Sequence, residues 1–332
     1  MDKKKLVYRV IIVILLVLGY FNYFGDEKKI EKKEEVIETT GAVYDTDGYH
    51  IEAEKQRDFV KKNETTFEKA KALLGDMVLT GDNAILDAGK NLLLKTNILG
   101  KSLNGWEFKT EKVDYDKEKD LVQSNVGVVA INKAEGIEIS GKNFSSDTKM
   151  DNLNLSGDVK FKTKNITLSA ENAKYSDKTK IMEILGESYL TSKDDSQGLL
   201  GGHFKILKYN TETNNLTSNK SFVITYNGMK LFGDNLIYND KTEAFKITEN
   251  VHMEIDGYKI SMVNITSNGG NEILFKGEIK GSNGIYSFSG DNAIYNKETK
   301  MFYLKNNVTA MNKDGAKLNG DEAIYNTQLK IL

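Results

Sequence analysis

Residues Tyr286 to Met311 read YSFSGDNAIYNKETKMFYLKNNVTAM. Two runs of eleven residues flank the polar spacer Lys297 to Lys300. In the second run Phe302, Leu304, Val308 and Ala310 share one parity, with Asn306 between them. A period of two marks a strand with one buried face, and a short polar loop between two such runs marks a hairpin. The first run carries the hexad Gly290-Asp-Asn-Ala-Ile-Tyr295, and the rest of the chain is read by asking where that hexad returns.

It returns as GDNAIL at Gly81 to Leu86, GDNLIY at Gly233 to Tyr238 and GDEAIY at Gly320 to Tyr325. With its last position as a marker, weaker copies align at Tyr115, Ser146, Tyr175, Tyr209 and Thr266. Successive separations are 29, 31, 29, 34, 29, 28, 29 and 30 residues, and Asp58 marks a further copy, giving ten units from about residue 50. The apolar parity of the second strand recurs as Val122, Val126 and Val128, as Met182 and Ile184, and as Phe245, Ile247, Val251 and Met253. On the first strand Tyr286, Phe288 and Ile294 share a face, as do Met229, Leu231 and Ile237.

A lone hairpin is marginal, whereas stacked hairpins bury a continuous apolar seam. The expected fold is therefore all-β: an elongated antiparallel slab of about ten two-strand repeats in two facing sheets. At about 4.8 Å per strand, ten strands to a sheet predict a body roughly 45 to 50 Å long. The hexad glycine fits a bulge or bend, and the aspartate after it reads as a cap on that corner. One aspartate per unit is too few for a calcium site, which needs six to eight oxygens.

Composition narrows function. The chain of 332 residues has no cysteine and no proline, and its formal net charge is −2. Disulfides, thiolate metal sites and cysteine nucleophiles are excluded, and there is no basic field for nucleic acid. The three histidines, His50, His203 and His252, sit in no metal-spaced or triad-like context, and no phosphate-loop, zinc-protease or nucleophile-elbow motif is present. No cofactor and no enzymatic activity are expected. Lys160, Lys162 and Lys164 alternate with Phe161 and Thr163, a pattern that suits an edge-guarding strand face better than a phosphate site. The marker tyrosines read as a packed ladder.

The N-terminus stands apart. Lys3, Lys4, Lys5 and Arg9 precede the run VIIVILLVLGYFNYF at Val10 to Phe24, enough to span a bilayer once with the lysine end in the cytoplasm. A cleaved signal peptide is the rival reading, opposed by bulky aromatics where small residues are needed. The expected organisation is a cytoplasmic tip and transmembrane helix over 1–25, a charged stalk over 26–40 and the repeats over 41–332.

An apolar anchor, a charged stalk and repeats of the form G-D-x-A-x-Y followed by x-F-x-L-x-N-x-V resemble the LptC family of lipopolysaccharide-export bridge proteins and its soluble OstA-like relatives. The resemblance covers residues 40 to 332, with more repeats than typical anchored members have. It implies a twisted β-jellyroll, or β-taco, held at the inner membrane with its bulk in the periplasm. Such a protein shelters the lipid A acyl chains of lipopolysaccharide between an ABC exporter and a soluble LptA-like bridge protein. The groove wall would be Val122, Val126, Val128, Met182, Ile184, Phe245, Ile247, Val251, Met253, Phe302, Leu304 and Val308. Residues 327–332, with Leu329 and Ile331 on one face, would form a terminal strand that docks the soluble partner edge to edge. Exposing an acyl chain of about a dozen carbons costs roughly 10 kcal/mol at about 0.8 kcal/mol per methylene, which an apolar gutter removes. The competing expectation is a structural spacer whose sheets pack tightly and leave no groove.

Overall fold

The computed structural model describes residues 34–46, 48–192, 201–226 and 229–329. The expected anchor, most of the stalk and Ile331 lie outside them. The first strand, Val36–Thr46, already begins within the segment expected as stalk.

All described regular structure is antiparallel β, and the rungs pair in sequence order in one continuous sheet. Each rung of about eleven residues is bent near its middle, so a single rung contributes to both facing arms. Six rungs are interrupted at the bend, as in Leu121–Ser124 with Val128–Asn132, so the twenty-six segments make twenty rungs. This corrects the expected division of twenty strands between two sheets. With all twenty rungs stacked in series at about 4.8 Å, the body is about 90 Å long, twice the expected length.

The bend has a repeated chemical design. Opposite Gly290 and Asp291, the register slips so that these two residues face three, Asn306 to Val308. Such an extra residue is a bulge, and it turns the strand. Two consecutive residues there take positive φ: Asn306 at 60° and Asn307 at 52°, with Glu249 at 65° and Asn250 at 51°, and Thr96 at 68° and Asn97 at 54° in other units. Asparagine tolerates that region better than most residues because its short amide bonds locally. The amide is used: Asn97 donates to Asp82 at 2.6 Å, Asn307 to Asp291 at 2.7 Å, and Asn250 to Asp234. The hexad aspartate thus caps the corner, as expected, through the asparagine of the following strand.

The hexad glycine plays another part than the expected one. Gly81, Gly233 and Gly290 do not have positive φ; the bulge is on the next strand. Their lack of a side chain makes room, since a Cβ on Gly233 would lie 2.5 Å from Ile247 Cγ2 and one on Gly290 would lie 2.8 Å from Leu304 Cδ1. The two residues spent on the bend also shift parity. Met229 and Leu231 point inward but Ile237 is 52% exposed, which corrects the single face expected of the first strand.

The marker positions form one transverse row. Tyr295 pairs with Phe302 and Phe302 with Tyr325, while earlier in the chain Leu153 pairs with Tyr175, Tyr175 with Met182 and Met182 with Tyr209. Asp58 joins this row through Thr65, which faces Leu86. In the degenerate copy the row passes through Ser267, not Thr266, because Ser267 is the residue that pairs with Phe245 and Ile273. Inward residues of the row and its neighbours make one apolar core from Tyr49 to Val308.

Candidate functional site

The hairpin turns line up along two lips. The first arm ends in turns near residues 48, 75, 104, 134, 164, 256, 284 and 314, and the second in turns near 62, 89, 118, 149, 178, 212, 241, 270 and 298. The lips meet along much of the body. Gly75 backs onto Thr148, Trp106 packs against Tyr175 with ring centroids 5.4 Å apart, and Tyr325 donates to Asp256 at 3.0 Å. In each of these pairs the first-arm turn faces the second-arm turn two hairpins further along. Strand twist accounts for the offset, because facing arms of a twisted sheet run at an angle to one another.

The tightest closure is in the middle. Thr163 donates to Asp240 Oδ2 at 2.7 Å, Tyr209 donates to the same oxygen at 3.2 Å, and the Asn165 amide donates to the Asp240 carbonyl at 2.6 Å. Asp240 is 3% exposed, and its Oδ1 is buried without a hydrogen-bond partner. Nearby Lys180 reaches Glu135 across the lips at 3.3 Å and Asp177 at 2.7 Å. Behind this latch, the space bounded by Leu190, Phe204, Leu216, Leu231 and Ile247 is only about 10 Å³. The arms pack directly on each other there.

The C-terminal end is different. Among the described residues, the offset leaves the first-arm hairpins with turns near 284 and 314 without a second-arm turn to face. Beneath them an apolar cleft of about 440 Å³ opens between the arms. Ile255, Tyr258, Ile260, Phe288 and Met311 line the first-arm side and Phe302, Leu304, Ala323 and Tyr325 the second-arm side, with Val308 by the bend. Burial and the bond to Asp256 hold the Tyr325 hydroxyl protonated, pushing its pKa up to about 12. The volume falls in the range of small-molecule sites, and the lining is mainly hydrocarbon with a few hydroxyls.

Of the twelve residues expected as groove wall, Phe302, Leu304 and Val308 line this cleft. Val122, Val128, Met182, Ile184, Ile247, Val251 and Met253 lie in the closed core, and Phe245 packs against it half-buried. Val126 is a correction: it is 52% exposed, because it sits at the bend between two strand segments, where parity does not carry through. Leu329, at 65% exposure, lies in a turn after Lys317–Asn326, so the described edge strand is that one, and residues 327–329 of the expected terminal strand are a turn. Sequence reading missed Tyr258, Ile260 and Met311 as lining residues. Only the two-hairpin offset singles them out from their equivalents in other units, and repeat periodicity carries no trace of it.

The remaining polar singletons stay apart. His203 contacts Glu187, His50 lies between Asp45 and Glu52, and exposed His252 stacks flat on Phe232 at 4.3 Å. Lys162 bonds Glu138 at 2.6 Å on the outer face while Phe161 and Thr163 point inward.

Residues 8–164 match the model of a family described as lipopolysaccharide-assembly, LptC-related. Over that span the chain is LptC-related. The matched span ends inside the turn that bears Asn165, and the strands on either side of it, Asn152–Lys162 and Ile166–Ser176, pair with each other across that end. Fourteen chains of solved structures match. One is LptH from Pseudomonas aeruginosa, described as the LptA-homologous periplasmic component of the lipopolysaccharide transport device. It is 12% identical with a TM-score of 0.33, the match covering 36% of this chain and 94% of that one. No curated protein matches the chain.

Proposed function

We propose that this LptC-related chain is a membrane-anchored periplasmic bridge component that shelters lipopolysaccharide acyl chains and passes them from an inner-membrane ABC exporter toward the outer membrane. The observation that carries the reading is the apolar cleft beneath the C-terminal overhang, where Phe302 and Leu304 on one arm face Tyr258 and Ile260 on the other, with Val308 by the bend. An acyl chain placed there leaves water, and its sugars stay outside the lips. The N-terminal run is the single-pass anchor, with its lysine end in the cytoplasm. The strand Lys317–Asn326, paired on one side only among the described residues, offers its free edge to a soluble LptA-like bridge protein, with Leu329 nearby and Ile331, which lies outside the described residues, proposed as part of the same contact.

In the middle of the body the arms are shut, so passage requires the lips to part there while cargo moves. That closed middle favours the competing reading of a structural spacer. A photoreactive residue separates the two. Label passing to lipopolysaccharide from Leu304 and Ile247 during export, and not from Tyr303 or Lys246, supports the conduit. Label from neither inward position leaves the spacer.

A further inference from the structure

The outer surface of the second arm carries a cleft of about 510 Å³, larger than the apolar one and unrelated to it. Two transverse ladders of short polar side chains build it. In one, Gln123 stands opposite Ser145 and Ser145 opposite Asn154; in the other, Asn143 stands opposite Ser156 and Ser156 opposite Asn172. Asn125 projects from the bend at one end, and Leu185, 37% exposed, supplies an apolar spot at the other.

This surface carries fewer charges than much of the outer face. Elsewhere charges pair across strands, as Lys71 with Glu52, Lys133 with Glu107 and Lys208 with Glu183. Here the only charged lining residues are Asp114, taken up by Lys112 at 2.7 Å, and Lys174. The side-chain amides of Gln123, Asn125, Asn154 and Asn172 make no hydrogen bond to any other described residue. Each carboxamide both donates and accepts, and strand pairing holds the ladders at fixed spacing. The arrangement suits a neutral ligand dense in hydroxyl and amide groups. A phosphate would need more cations, and an acyl chain more hydrocarbon.

We propose that this cleft binds an N-acetylated oligosaccharide, its acetamido groups bonding the free carboxamides and an acetyl methyl resting on Leu185. The proposal stands independently of the lipid conduit. Two sources share the chemistry: a free glycan strand of N-acetylated hexosamines, or the saccharide of a lipid-linked glycan. The test titrates the full chain in detergent micelles by calorimetry, with chitotetraose for the first and with the oligosaccharide released from lipopolysaccharide for the second. Asn154→Ala combined with Asn172→Ala should weaken binding by about tenfold or more, since at least two hydrogen bonds are lost. Lys174→Ala should change it little. Binding of either glycan with that loss supports the proposal and identifies the source. Binding of neither, binding unchanged by the amide substitutions, or binding abolished only by Lys174→Ala overturns it. All substitutions are on the solvent face, and unchanged thermal midpoints verify the fold.

Discussion

At the scale of single residues, the bend in each rung rests on a glycine, an aspartate and an asparagine with separate tasks. Gly233 leaves space for Ile247 and for Phe222, whose Cζ a Cβ would approach at 3.2 Å. Gly233→Ala should therefore destabilise the chain by about 1–3 kcal/mol in denaturant unfolding through overpacking, not backbone strain. The hexad makes the corner legible in the sequence, but it points to the wrong strand for the bulge. Positive φ falls on Asn306 and Asn307, residues that sequence alone could only read as polar interruptions in an apolar parity. The tyrosines give a second prediction. Burial raises the pKa of Tyr226 from 10.0 to about 12. Its protonated form is the one the folded chain favours, so its contribution is complete below pH 10 and is lost as pH rises toward about 12. Absorbance titration should show late tyrosinate formation accompanied by falling stability, both reduced in Tyr226→Phe.

Among elements, hairpin strands were legible because inward and outward side chains alternate over most of each rung, and the polar spacers punctuate them. Contacts between the two lips were not, because they join turns about seventy residues apart, such as Trp106 with Tyr175 and Thr163 with Asp240. Thr163 looked like a bland member of a lysine row, yet its hydroxyl supports a buried carboxylate across the mouth. Thr163→Val keeps the shape and removes that donor. A cost of about 1–3 kcal/mol is expected in chemical denaturation, from leaving Asp240 less satisfied. Hydrogen exchange should quicken around residues 163–166 and 240–243 more than at the distant strand Tyr286–Asn296. Equal acceleration everywhere would mean that the latch is not local.

For the whole molecule, twenty rungs equal the expected number only because Val36–Thr46 adds one before the expected units while the last described strand is Lys317–Asn326; the expected length was half what it should be, because counting strands does not reveal that each one serves both arms. Small-angle scattering of a fragment starting at Glu34 should give a longest dimension of about 90 Å, and a value near 50 Å would refute the serial stacking of rungs. Stability should be shared in neighbouring pairs along the stack. The angle at which one arm crosses the other has a consequence for growth by duplication. Among the described residues, the opening beneath the hairpins that turn near 284 and 314 follows from that angle, so inserting a hairpin in the middle of the stack would lengthen the body and leave that opening in place. Such an insertion changes reach while the cleft keeps its lining.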